Sequence, residues 1–129
     1  MAYVHFPFLG PESQWAAEAS ECAADQGAFW KYHDFLYANQ KGENKGTFNQ
    51  ENLKQFAGQL GLDEDAFSQC FDSGKYTDIV KQEKQMAQQL GVQSTPTFVI
   101  NGVPVVGAQP FANFQQVIES ILANGDNTQ

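Results

Sequence analysis

The sequence contains no arginine: its seven cations are all lysines, set against fifteen carboxylates, for a net charge of −8 at pH 7. Without guanidinium forks for phosphates or guanine edges, and with net repulsion from polyanions, the composition argues against nucleic-acid binding. No apolar run approaches the roughly 20 residues of a transmembrane helix, so no membrane span is expected. Cysteine is equally scarce. Cys22 and Cys70 stand far apart, so there is no CxxC and no other local redox or metal motif. The segment after Met1 has neither a basic stretch nor a cleavage pattern, and no signal peptide is read there. Internal repeats, low-complexity tracts and linkers are absent too.

Aromatic residues, in contrast, are plentiful. Eleven phenylalanines, two tryptophans and four tyrosines in 129 residues supply the apolar bulk of a single domain with a real core. Only Gly125 to Gln129 read as a loose end. Ala2 to Phe6 is a short β-prone segment, ended by the turn residues of Phe6-Pro7 and Gly10-Pro11. From Ser13 to about Gln26 an alanine-rich stretch predicts a closely packed helix. Ala28 to Asn39 is so rich in aromatics that most faces of its helix should be covered. Asn49 is placed to cap a helix through Gln59, and Asp63 a short one in which Ala66, Phe67, Cys70 and Phe71 share an apolar side. A fifth helix, about Tyr76 to Leu90, should bury Ile79, Val80, Met86, Ala87 and Leu90. Phe111 to Leu122 is a terminal amphipathic helix.

Between these last two helices lies Ser94-Thr95-Pro96-Thr97-Phe98-Val99-Ile100-Asn101-Gly102. Its apolar run does not alternate, which predicts a strand covered on both faces inside a sheet. Asn101-Gly102 is a two-residue hairpin signal, since both positions tolerate positive φ. The return strand, Val103 to Gly107, carries Pro104, which cannot donate to a ladder and marks a sheet edge. The fold class is therefore α/β: strand 2–6, five helices, an antiparallel hairpin over 97–107 and a C-terminal helix.

Candidate chemistry is sparse. Cys22 and Cys70 both fall on apolar helix faces, as two buried thiols or one structural disulfide. His5 and His33 have no carboxylate or cysteine at metal spacing, and a zinc site of Cys22, Cys70 and His33 would lack a fourth ligand. No metal and no cofactor are expected. Asp63, Glu64 and Asp65 form a helix-start charge run, favourable at the positive end of the helix dipole. Phe29, Trp30 and Tyr32 are packing material.

Several stretches, however, occur together and in order: Ala16-Ala17-Glu18-Ala19 to Cys22-Ala23, Gly27-Ala28-Phe29-Trp30-Lys31-Tyr32-His33-Asp34, Phe67 to Tyr76, Gly91 to Phe98, and Val106-Gly107-Ala108-Gln109-Pro110. From about Phe6 to Leu122 the chain resembles the DsbA-like thioredoxin-fold thiol:disulfide oxidoreductases. The resemblance implies one partial thioredoxin domain, with a helical insertion over about 12–91 and the terminal hairpin and helix over about 94–124. It implies a cis peptide bond before Pro96 and a substrate-binding loop of Ser94, Thr95 and Pro96, in which Thr95 offers backbone groups beside the active disulfide. It also favours contact between Cys22 and Cys70.

In that family a CxxC sits where a central strand enters a helix, whose N-terminus favours the thiolate. Here Ala2 to Phe6 corresponds to the family's second strand, and no catalytic residue is found. The resemblance therefore implies a missing strand between Ala2 to Phe6 and the inner hairpin strand, a gap that should be met by Ala2 to Phe6 moving beside Thr97 to Ile100, or by another chain, which makes a homodimer through the open edge an expectation. Two functions follow: part of an extracytoplasmic protein disulfide exchanger acting on protein thiols and disulfides, inactive alone, or a non-catalytic peptide-binding or self-associating module.

Overall fold

In a computed structural model, which describes residues 1–125, the chain forms six helices and two strands. The helices are α1 (Pro11–Ala24), α2 (Phe29–Ala38), α3 (Gln50–Gln59), α4 (Glu64–Asp72), α5 (Thr77–Gln89) and α6 (Phe111–Gly125); the strands are β1 (Thr97–Ile100) and β2 (Val103–Val106). They divide into two compact units, Met1–Ala87 and Gln88–Gln129.

The first unit is helical, and local chemistry sets its boundaries. Pro11 opens α1, where its missing N–H is not needed. The Asn49 side chain accepts from the Asn52 N–H at 2.8 Å and Asp63 from the Ala66 N–H at 2.9 Å, so both predicted caps form. Ala19 and Ala23 of α1 are fully buried, and their small side chains let α1 lie close to its neighbours. Around them pack Tyr32, Leu53, Phe67 and Phe71. Tyr32 is the largest fully buried side chain, and its hydroxyl donates to the Leu53 carbonyl at 2.8 Å, satisfying the one polar atom it carries inward.

Three expectations fail in this unit. Residues 2–6 form no strand. A strand needs a ladder partner, and here the His5 N–H donates to the Glu83 carboxylate at 2.7 Å while the Tyr3 ring stacks edge-on against Phe29 and Trp30 of α2. Most faces of α2 are not covered: only Tyr32 and Leu36 are buried, while Trp30 is 51% exposed and Tyr37 is exposed as well. Of the expected α5 stripe only Val80 and Ala87 are buried and Ile79 and Met86 are exposed; Leu90, also exposed, lies past the end of the helix and belongs to the second unit.

The second unit is a hairpin followed by a helix. The strands pair antiparallel in the register Thr97↔Val106, Phe98↔Val105, Val99↔Pro104 and Ile100↔Val103. Asn101 at φ 47° and Gly102 at φ 84° make the tight turn, the left-handed pair that this hairpin requires. Phe98 meets Phe114 of α6 edge-on, with ring centroids 5.0 Å apart. The predicted burial of β1 does not occur: among the described residues its only ladder partner is β2, and Phe98 is 39% and Val99 56% exposed. Two strands and one helix are too few to enclose an apolar strand on both faces. No residue of α6 is buried. Gly125, expected in a loose end, is the last residue of that helix; the rest of that expected end, residues 126–129, lies outside the described residues.

Candidate functional site

The loop before β1 is braced by bonds within it and to the end of β2. The Thr97 hydroxyl donates to the Ser94 carbonyl at 2.7 Å, closing a turn around the peptide between Thr95 and Pro96, which is cis. At the far end of the hairpin the Gly107 N–H donates to the Pro96 carbonyl at 2.8 Å, and the Gln109 side chain donates to the Val106 carbonyl at 2.9 Å. Pro96 is thereby pinned to the base of the sheet. Ser94, Thr95 and Pro96 are all exposed. Among the described residues, neither the N–H nor the carbonyl of Thr95 has a hydrogen-bond partner. A backbone donor and acceptor therefore stand free on a braced loop, an arrangement able to hold an extended peptide by main-chain bonds.

Cys22 of α1 and Cys70 of α4 are joined in a disulfide, with Cα atoms 5.9 Å apart. The bond ties two helices of the first unit and accounts for both sulfurs of the cysteines in the sequence. It also removes the zinc site of Cys22, Cys70 and His33, because neither sulfur is left as a thiolate ligand. His33 instead lies 3.0 Å from the carboxylate of Asp34, with Tyr37 against its ring.

Four arrangements are not legible in the sequence. Asp25 accepts from the Lys75 ammonium at 2.6 Å and from the Tyr76 hydroxyl, beside Cys70. The Lys75 bond, then that of Tyr76, holds the Asp25 carboxyl below the usual carboxylate range. His5, buried, places Nε2 2.8 Å from Glu21, so the N-terminal segment is fastened by both its backbone and its ring. Glu12, 8% exposed, accepts from the Gly46 N–H at 2.6 Å and the Phe48 N–H at 3.0 Å and fixes the loop between α2 and α3. Glu18 joins α1 to α5 by accepting from the Thr77 hydroxyl at 2.9 Å. Their partners lie too far along the chain for spacing to signal them. Nor does the sequence single out Tyr3: burial, with Tyr37 nearby, pushes its phenol well above its ordinary range.

Comparison with known proteins places this geometry. The thioredoxin family model matches residues 1–120. A Na(+)/H(+) antiporter NhaA 3 of Salinispora tropica is 37% identical over 100 residues, which is 76% of this chain and 15% of the antiporter. A probable disulfide bond formation protein D of Bacillus anthracis is 29% identical over 104 residues, 78% of this chain and 48% of that protein. The chain thus spans less than half the length of these relatives. Among solved structures, a thioredoxin-like oxidoreductase from Silicibacter pomeroyi superposes with a TM-score of 0.76 at 26% identity, covering 94% of this chain and 67% of the other. The thiol-disulfide exchange protein alpha-DsbA2 of Wolbachia pipientis shares the fold, with a TM-score of 0.74 at 23% identity over 91% of this chain and 62% of the other. With its braced proline loop and helical first unit, the chain belongs to the thioredoxin family, and its fold is similar to those of a thioredoxin-like oxidoreductase and a thiol-disulfide exchange protein.

Proposed function

We propose that this chain is the substrate-facing part of an extracytoplasmic protein disulfide exchanger, presenting Ser94, Thr95 and Pro96 to an extended polypeptide whose cysteine reacts at a CxxC supplied by another segment or chain. The observation that carries this reading is the exposed loop, braced at Ser94 and Pro96, with both backbone groups of Thr95 unbonded among the described residues. A peptide strand laid along it would gain two main-chain hydrogen bonds, each worth about 0.5–1.5 kcal/mol net. The partners are proteins bearing thiols or disulfides, as the family membership implies. No helix among the described residues is long and apolar enough to cross a membrane.

Exchange needs a thiolate nucleophile beside the loop, and this chain's two cysteines are bonded to each other in its helical unit. Alone it should therefore be inactive. Insulin reduction is the test: turbidity should rise no faster with the chain than with dithiothreitol alone. Turnover that disappears in Cys22→Ser would show that the helical cysteines are the redox pair. Loop function is measured separately, by adding an unfolded cysteine-containing peptide and following amide resonances; shifts confined to residues 93–97 are expected, and none there would refute the binding role.

A second reading, a self-associating module, rests on the exposed apolar residues of β1, β2 and α6, among them Val99, Val106 and Phe111. A sedimentation profile showing a dimer that persists on dilution would favour it over the first.

A further inference from the structure

We propose that the Cys22–Cys70 bond is a site of reversible S-thiolation, with Cys70 as the sulfur that a low-molecular-weight thiol attacks and Cys22 as the one that leaves. The two sulfurs are not equivalent. Cys22 is 1% exposed, on the inward face of α1 beside the fully buried Ala19 and Ala23. Cys70 lies on α4 and is only partly buried. Thiol–disulfide exchange is a displacement in which the incoming sulfur approaches in line with the S–S bond, from the side opposite the leaving sulfur. Cys70 is the sulfur of the pair that solvent can reach, whereas the 1%-exposed Cys22 could be attacked only by a thiol that first enters the core.

The surroundings of Cys70 suit an incoming thiolate. Its Sγ lies 3.8 Å from Asp25 Oδ2, a carboxylate that would repel an anion if it stood alone. That same oxygen accepts from Lys75 Nζ at 2.6 Å, and the other oxygen accepts from the Tyr76 hydroxyl. The ammonium cancels the carboxylate, so the approach carries no net local charge of the repelling sign.

In the reaction the small thiolate forms a bond to Cys70 Sγ, the Cys22–Cys70 bond breaks, and Cys22 departs with the electron pair and takes up a proton. The thiol's own proton has gone to solvent, so the products are a Cys70 mixed disulfide and a Cys22 thiol, with no net oxidation. Return of Cys22 onto the mixed disulfide expels the small thiol and restores the bond. While the adduct lasts, α4 is no longer covalently held to α1.

The whole chain is incubated with 2-mercaptoethanol, quenched in acid at intervals, unfolded, alkylated with N-ethylmaleimide and mapped by peptide mass spectrometry. The expected result is the mercaptoethanol adduct on the peptide containing Cys70 and maleimide on Cys22. An adduct on Cys22, equal labelling of both, or a bond that survives a thiol excess sufficient to open it in denaturant would overturn the proposal. Single-thiol variants give a second measure through their reaction with an aromatic disulfide reagent. Cys70 in Cys22→Ser should react at least about tenfold faster than Cys22 in Cys70→Ser, with the ratio near one in denaturant; the reverse order would refute the assignment.

Discussion

Opening the Cys22–Cys70 disulfide should cost the helical unit a large part of its stability, and the size of that cost follows from the topology. The bond joins positions separated by 48 in sequence, from α1 to α4, so the closed loop contains all of α2 and α3. In the chain-entropy treatment a loop of that size restricts the unfolded chain by about 4 kcal/mol. Whole small domains are stable by only about 5–15 kcal/mol, so the reduced unit should remain folded in buffer but close to its limit. Trp15 of α1 and Trp30 of α2 are the only tryptophans, and intrinsic fluorescence therefore reports this unit alone. With a urea dependence of about 2 kcal/mol per molar, the fluorescence midpoint should fall by about 2 M on reduction, and by a similar amount in a Cys22→Ala, Cys70→Ala variant. The slope should also steepen, because the unlinked chain exposes more surface when unfolded. Coincident midpoints and slopes for oxidised and reduced protein would refute the reasoning, by showing that the reduced chain is already as confined as the linked one.

Other outcomes follow from single contacts. Tyr32→Phe removes the bond to the Leu53 carbonyl and should destabilise by about 1 kcal/mol, measured by the same urea titration. Burial raises the Tyr32 phenol, so its neutral form supports folding fully below the ordinary tyrosine value near pH 10, and stability should decline as pH climbs above it; that alkaline slope should be shallower in Tyr32→Phe. Glu12→Ala leaves the Gly46 and Phe48 N–H groups without their acceptor and should cost about 2 kcal/mol, with hydrogen exchange quickening at those two amides. Asn49→Ala and Asp63→Ala each remove a helix cap and should each lower stability by about 1 kcal/mol in urea titration, additively if the caps act independently. Asp25 is held below its ordinary pKa, so its contribution is present above the ordinary carboxylate range and lost as pH falls below it; acid titration of Asp25→Asn should lack that component.

Elements whose signals are local are legible in the chain itself. Asn49 and Asp63 cap the helices that follow them, because a cap needs only a side chain and an amide three residues on. Asn101-Gly102 turns the hairpin because the turn's positive φ values are a property of those two residues. Residues 2–6 go the other way. Their β-prone composition states a preference, but strand formation depends on a partner, and the His5 N–H meets Glu83, 78 positions away. Covering of β1 fails for the same reason: an apolar run shows what a strand would tolerate around it and not whether neighbours are there to cover it.

From the sequence alone come the absence of a CxxC, the hairpin with its proline loop and the family resemblance, all carried by residues adjacent in the chain or by ordered motifs. Tertiary structure alone decides that Cys22 and Cys70 meet, that Asp25 lies between Lys75 and Cys70, and that the N-terminal segment is held by His5 and Glu83 in place of a sheet. Those are encounters between distant positions. They depend on where α1, α4 and α5 come together when the core closes, and no spacing along a chain encodes that distance.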